Sequence, residues 1–265
     1  MILIKPISPV AIDLFGLQIR WYAIAYILAF LIGLWMIKKL AREHSGDKKY
    51  WDDLFAYTLA GVIIGGRLGY VLFYNPGFFL QNPLEIFAIW HGGMSFHGGL
   101  AGVMTSTLLF AWRRRESALA ILDKLAVVAP IGLFFGRMAN FINMEVMGRA
   151  TSRAWGVVFE GLDTLPRHPS PLYEAGLEGI LLFLIMIMLW KTRLKNHAGL
   201  LSGTFGILYG IFRIFCEQFR EPDIQVGFLL GTDWLTMGMI LSFIMIAAGL
   251  YLIAKSACRK KLDRI

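Results

Sequence analysis

Charge is scarce in this chain, and that scarcity settles the class. Only 17% of the residues are Asp, Glu, Lys or Arg while 57% are hydrophobic, and the mean hydropathy is +0.61. A soluble domain could not hide so much apolar surface, so an all-α polytopic membrane protein is expected. Cysteine is nearly absent as well. Cys216 and Cys258 are expected near opposite faces of the bilayer, which excludes a disulfide framework and leaves both as structural residues. His91, His97 and His168 show no His-x-x-x-His spacing, so neither a metal nor any other cofactor is expected. Ser95 and Ser170 stand outside any Gly-x-Ser-x-Gly elbow, so a serine nucleophile is not signalled. The first apolar run precedes its basic cluster and ends without a small-x-small cleavage site, so it is expected to be retained. With no low-complexity linker and no inverted repeat, the chain reads as a single integral domain over residues 1–265.

What is abundant is long apolar sequence. Windows near 20–37, 54–74, 94–111, 119–142, 171–190, 199–219 and 234–254 are each long enough to cross a bilayer, which gives about seven transmembrane helices. The 26 Lys and Arg against 18 acids would suggest nucleic acid in a soluble protein. Here their placement reports topology instead, and no nucleic-acid partner is expected. Alternate connections carry Lys38, Lys39, Arg42, Lys48 and Lys49; Arg113, Arg114, Arg115 and Lys124; Lys191, Arg193 and Lys195; and the basic carboxyl end from Lys255 onward. Positive loops stay inside, so the amino terminus is expected outside, in the periplasm, and the carboxyl terminus in the cytoplasm.

Residues 1–19 lack a spanning run and are expected to lie along the outer surface as an amphipathic arm. Asn75-Pro-Gly77 and Asn82-Pro83 mark an outer loop with an interfacial or re-entrant segment. Residues 143–170 form a small external head, with a short hairpin expected around Trp155–Phe159. Gly61, Gly65 and Gly69, then Gly98 and Gly102, then Gly132 and Gly136, recur every four residues and predict close helix packing.

Packing does not explain the arginines among these glycines. A guanidinium at mid-bilayer costs about 2.5 to 3.5 kcal/mol even on lenient scales, so Arg137 must face a polar cavity or an anion. Arg137, Asn140 and Asn143 follow at intervals of three and share a helix face, as do Tyr209, Arg213 and Glu217 at intervals of four. An Arg213–Glu217 pair could serve packing alone. Two arginines together suit the several oxygens of a phosphate, and a phospholipid head group is the natural anion. Arg67 is a third candidate, with pairing to Glu85, Glu174 or Glu178 as the alternative. His97, flanked by glycines at the outer start of the third window, is either a hydrogen-bonded structural group or a general base. A transporter and a salt-bridged scaffold are the rival classes, since buried arginines also mark substrate pathways and helix seams.

These residues resemble the bacterial phosphatidylglycerol-prolipoprotein diacylglyceryl transferases over nearly the whole chain. Gly136-Arg-x-Ala-Asn-Phe-x-Asn-x-Glu-x-x-Gly148 looks like the family signature, with Ala139 where a glycine is common, and His97-Gly-Gly-Leu-x-Gly102 looks like its other hallmark. Arg20-Trp-Tyr22, Gly65-Gly-Arg-Leu-Gly-Tyr70, Arg167-His-Pro-Ser170 with Tyr173-Glu174, and Tyr209-Gly-x-x-Arg213-x-x-x-Glu217 are similar too. The resemblance implies a multi-pass enzyme of the bacterial inner membrane. It would transfer diacylglyceryl from phosphatidylglycerol to the lipobox cysteine of a prolipoprotein signal peptide, with membrane lipids as its surroundings and glycerol phosphate as by-product. It carries functional importance to Tyr22, His97, Arg137, Asn140, Asn143, Glu145, Gly148, Tyr209, Arg213 and Glu217. In that frame His97 accepts or relays the thiol proton, Tyr22 orients it or the substrate, and Arg137 and Arg213 steady the departing phosphate. Asn140 and Asn143 complete the phosphate or glycerol contacts, and Glu145 and Glu217 hold the arginines.

Overall fold

The computed structural model describes residues 2–14, 17–41, 47, 49–161, 164–222, 227–229 and 231–262; for Leu14, Leu17, His91, Phe96, His97 and residues 259–262 only the backbone is described. In chain order the elements are strands β1 (Ile2–Ile4), β2 (Val10–Leu14) and β3 (Leu17–Arg20), then helices α1 (Trp21–Leu40), α2 (Tyr50–Phe73), α3 (Pro76–Gln81), α4 (Phe96–Arg114) and α5 (Ala118–Ile142). Strand β4 (Val157–Phe159) follows, then α6 (Ser170–Glu174), a π-helical stretch (Ala175–Leu181) and α7 (Leu182–Trp190) in one continuous run, then α8 (Leu200–Glu217) and α9 (Met237–Leu262). Two compact units emerge: Met1–Met36 with Asp123–Ile265, and Ile37–Leu122.

Among the described residues six helices are long and apolar enough to cross a membrane: Trp21–Leu40, Tyr50–Phe73, Ala118–Ile142, Ser170–Trp190, Leu200–Glu217 and Met237–Cys258. The chain is a multi-pass membrane protein. The remaining expected window also forms a helix, α4, but Gly98, Gly99, Gly102, Thr105, Ser106 and Thr107 make it less apolar than the other six.

In the second unit the expected glycine packing is present. A Cβ on Gly61 would lie 2.5 Å from the Gly102 carbonyl oxygen, and one on Gly69 would lie 2.7 Å from the Gly98 Cα. Helices α2 and α4 therefore touch backbone to backbone, a contact that any side chain would wedge open. Gly132 and Gly136 on α5 do not behave this way: Gly136 has nothing within 4 Å of its Cβ position and Gly132 only the Ala29 methyl at 4.0 Å. The first unit uses other glycines, Gly203 and Gly210 of α8, whose Cβ positions fall 2.7 Å from the Gly249 carbonyl and 2.9 Å from that of Ser242 on α9.

The head also departs from expectation. Val157, Val158 and Phe159 are all buried, so β4 has no solvent face to alternate toward. It pairs in parallel with β1, Ile2 opposite Val157 and Ile4 opposite Phe159. A parallel partner cannot come from an adjoining turn, so it is drawn from the amino-terminal arm. Of the expected hairpin the head keeps one antiparallel bridge, Val157 with Arg167, which exchange backbone hydrogen bonds at 2.9 and 2.8 Å, and the antiparallel strand pair among the described residues is β2–β3, within that arm. At the opposite end of the helices, buried Asp123 of α5 accepts from the backbone N–H groups of Gly199 and Ser202 at 2.7 Å each, capping α8.

Candidate active site

The α6–α7 run carries two carboxylates, Glu174 and Glu178, that are completely buried. They are tolerated because two helices supply guanidiniums. Arg137 of α5 places Nε 2.9 Å from Glu174 Oε2 and Nη2 3.0 Å from Glu178 Oε2. Arg213 of α8 places Nη1 2.6 Å from Glu174 Oε1 and Nη2 2.8 Å from Glu217 Oε2, with Glu178 Oε1 at 3.7 Å. Thr236 completes Glu217 by donating its hydroxyl at 2.9 Å. Glu174 thus bridges the two arginines, one oxygen to each.

Local sequence makes this convergence possible. The π-helical stretch Ala175–Leu181 begins immediately after Glu174 and contains Glu178, a distortion common at functional sites. Gly179 lets that stretch approach α5: a Cβ there would lie 2.7 Å from Phe134 Cβ and 2.9 Å from its Cα. A larger residue would push Glu178 away from Arg137. Each close ion pair attracts by about 5 kcal/mol at an effective dielectric constant of ~20, against a desolvation cost of several kcal/mol per ion. Isolated pairs would barely balance, and the shared carboxylate is what gives the cluster its margin.

The two arginines are not equivalent. The Arg213 side chain is 9% exposed and both of its terminal nitrogens meet carboxylates. The Arg137 side chain is 17% exposed, and its Nη1 makes no hydrogen bond among the described residues. One edge of the Arg137 fork is therefore uncommitted.

A second cluster follows one turn later. The Tyr22 hydroxyl of α1 donates to Glu145 Oε2 and accepts from the Asn140 side-chain amide. Glu145 is therefore held by a phenol, not by an arginine as expected; it lies beyond the end of α5, and the Glu174 and Glu178 carboxylates pair with Arg137 instead. The backbone around Glu145 is strained: Met144 and Val146 have φ of 54° and 58°, the left-handed region that a β-branched residue rarely enters. Buried Ser170 holds it by donating to the Val146 carbonyl at 3.0 Å, and the Glu221 amide donates to that of Met147 at 3.0 Å. Asn143 Oδ1 is buried and has no hydrogen-bond partner among the described residues. Gly148 is needed for space: a Cβ there would lie 2.8 Å from the His168 carbonyl carbon. Tyr209 stands one turn before Arg213, its ring stacked on Phe205 at 6.0 Å.

In the head, the Tyr173 hydroxyl accepts from Trp155 Nε1 at 2.8 Å and sits 3.1 Å from His168 Nδ1. Partial burial and the neighbouring Arg153 charge push the His168 imidazole below its ordinary pKa.

His97 and Arg67 belong to the other compact unit. The His97 backbone lies in the first turn of α4, and its side chain lies outside the described residues. The Arg67 guanidinium spends all its donors on backbone carbonyls, not on Glu85, Glu174 or Glu178 carboxylates. Nε donates to Ile86 at 2.9 Å, Nη1 to Gly93 at 3.1 Å and to Gly92, and Nη2 to Ala88 at 3.2 Å and to Glu85.

Sequence reasoning placed Glu174 and Glu178 as possible partners of Arg67, and quoted Glu174 within a family-like motif without giving it a role. The signal that could have promoted them was their spacing. Two carboxylates four apart share one face of an apolar run, and such a face must meet cations from another helix.

Within the first unit, the membrane-length helices α5, α6–α7 and α8 share a buried cluster of arginines and glutamates, which defines an integral membrane protein with an internal polar site. Residues 9–255 match the family of prolipoprotein diacylglyceryl transferases, and the chain belongs to that family. It is 51% identical over 255 residues to the phosphatidylglycerol-prolipoprotein diacylglyceryl transferase of Methylocella silvestris, covering 94% of this chain and 93% of that one. The enzyme of the same name from Azospirillum brasilense is 50% identical over 259 residues, covering 96% of each. That of Rhodospirillum rubrum is 51% identical over 260 residues, covering 95% and 93%.

Proposed function

We propose that this chain transfers the diacylglyceryl group of phosphatidylglycerol to the thiol of the lipobox cysteine in prolipoproteins, the first step of lipoprotein maturation. The observation that carries the reading is the sharing of Glu174 by Arg137 and Arg213, in a chain half identical to transferases of that name along nearly its whole length. In the reaction the thiol gives up its proton and sulfur attacks the glycerol carbon that bears the phosphate ester. A carbon–sulfur bond forms, the carbon–oxygen bond breaks, and glycerol phosphate leaves with the electron pair.

Two demands follow from this chemistry. A thiol with a pKa near about 8.5 is mostly protonated at neutral pH, so a base is required, and we assign that role to His97. Negative charge grows on the departing phosphate, where fixed donors in a dry site are most effective. We assign that contact to the free edge of Arg137, with Arg213 behind it holding the carboxylates that orient Arg137. Asn143 and Asn140 contact the glycerol or phosphate. Tyr22 and Glu145 form a hydrogen-bonded pair beside Asn140, Tyr209 stands one turn from Arg213, Glu217 anchors Arg213, and Gly148 gives the His168 backbone room to approach. Arg67 acts away from the lipid.

The membrane is the bacterial inner membrane. With α4 crossing as a seventh span, the amino terminus, arm and head lie on the periplasmic side and the carboxyl terminus in the cytoplasm, in keeping with the basic loops. Partners are phosphatidylglycerol, the signal peptide bearing the lipobox cysteine, and surrounding membrane lipids.

The test uses the purified chain in detergent with phosphatidylglycerol and a lipobox peptide, read by mass spectrometry. A diacylglyceryl adduct is expected; no adduct from verified folded protein would falsify the reading. His97→Gln should abolish transfer, and near-wild-type turnover would move the base elsewhere. Arg137→Lys keeps the charge and loses the fork, and undiminished transfer would reduce Arg137 to a bulk electrostatic role.

A further inference from the structure

Arginine inside a spanning helix is costly, so the way Arg67 is neutralised carries information. It is 5% exposed, near the end of α2, and Phe79 covers it with ring centroid 5.1 Å from the guanidinium carbon. Its five hydrogen bonds all go to carbonyls of one short stretch, Glu85, Ile86, Ala88, Gly92 and Gly93. That uses every N–H a guanidinium has, leaving none for a phosphate.

The gathered stretch leads directly into α4. Gly92 and Gly93 have φ of 83° and 82°, a conformation a residue with a Cβ resists, and it brings two successive carbonyls to the same Nη1. Two residues on, the Ser95 amide donates to the Gly66 carbonyl, next to Arg67, at 2.8 Å. The Ser95 hydroxyl caps α4 by accepting from the Gly98 amide at 3.1 Å. His97 lies between those two anchors in the first turn of α4.

We infer that Arg67 is a positioning residue: its guanidinium winds residues 85–93 around itself and so sets the backbone from which His97 works. The inference rests on the proposed transferase reading and on His97 as its base. A lysine in its place would present three donors from a single point and could not hold five carbonyls spread around a plane. A misplacement of about 1 Å at a reacting group can cost roughly 100-fold in rate.

The experiment compares wild type, Arg67→Lys and Gly92→Ala as purified full chains, with phosphatidylglycerol and a lipobox peptide, per folded molecule. Gly92 has nothing within 4 Å of its Cβ position, so that variant disturbs the conformation of the stretch and adds no clash with neighbours. Both variants should lower kcat at least tenfold while the KM for phosphatidylglycerol stays within about twofold, as expected when a group acts on chemistry and not on binding. Amide exchange at Ser95, Gly98 and Gly99 should quicken in both. A raised KM with unchanged kcat in Arg67→Lys would make Arg67 a lipid contact and overturn the inference. So would unchanged exchange at those amides, a readout that needs no turnover. A wild-type chain that forms no adduct sinks the transferase reading instead, and the exchange comparison still decides whether Arg67 sets the start of α4.

Discussion

Glu174→Gln is the sharpest probe of the charged cluster, because it removes one charge and almost no volume. The carboxylate forms ion pairs with Arg137 at 2.9 Å and with Arg213 at 2.6 Å, and it is fully buried. The amide offers one oxygen, so one guanidinium loses its acceptor and faces an NH2 donor. Breaking a buried pair by removing one partner costs about 3 to 5 kcal/mol, since the remaining charge is left uncompensated. At about 2 to 4 °C per kcal/mol for a chain of roughly this size, the melting temperature in detergent should fall by on the order of 10 °C. A double-mutant cycle with Arg213→Met isolates the pair. If Glu174 holds Arg213, the double variant should lose less than the sum of the singles, with a coupling of about 0.5 to 3 kcal/mol. Strictly additive losses, or a fall under about 2 °C for Glu174→Gln, would show that the shared carboxylate does not organise the cluster.

Three further variants read other parts of the molecule. Tyr22→Phe deletes the hydroxyl between Glu145 and Asn140; it should cost about 1 to 3 kcal/mol in thermal stability and lower transfer, and unchanged values in both would make the phenol dispensable. Gly148→Ala drives a methyl into the His168 carbonyl; an overpacking loss of about 1 to 3 kcal/mol is expected in the unfolding midpoint, whereas a neutral result would mean that the head shifts freely. Asp123→Asn weakens the cap on α8; about 0.5 to 2 kcal/mol should be lost, with faster exchange at Gly199 and Ser202, and no change there would assign the capping elsewhere.

All seven expected helices were legible in the residues, six of them as membrane-length apolar spans, because bilayer thickness dictates length and apolar content, and both are written locally. Arg137 and Arg213 stood out for the same reason, as charges where charge is expensive. The α2–α4 contact was readable from glycine spacing, yet the same spacing on α5 misled, since Gly132 and Gly136 meet no close neighbour backbone. Periodicity tells which face a residue occupies, not what comes to meet it.

Sequence by itself determined that this is a multi-pass membrane protein of the diacylglyceryl transferase family with two arginines requiring anionic company. It also offered Glu217 as the partner of Arg213; tertiary structure added Glu174 and Glu178 to the two arginines, and put a phenol on Glu145 and five carbonyls on Arg67. Tertiary structure also paired β4 with the amino-terminal arm. The physical reason is common to all of these. Ion pairs and hydrogen bonds reward groups brought within about 3 Å, and in this chain those groups come from helices and turns far apart in sequence, so only the packing of one backbone against another can select them.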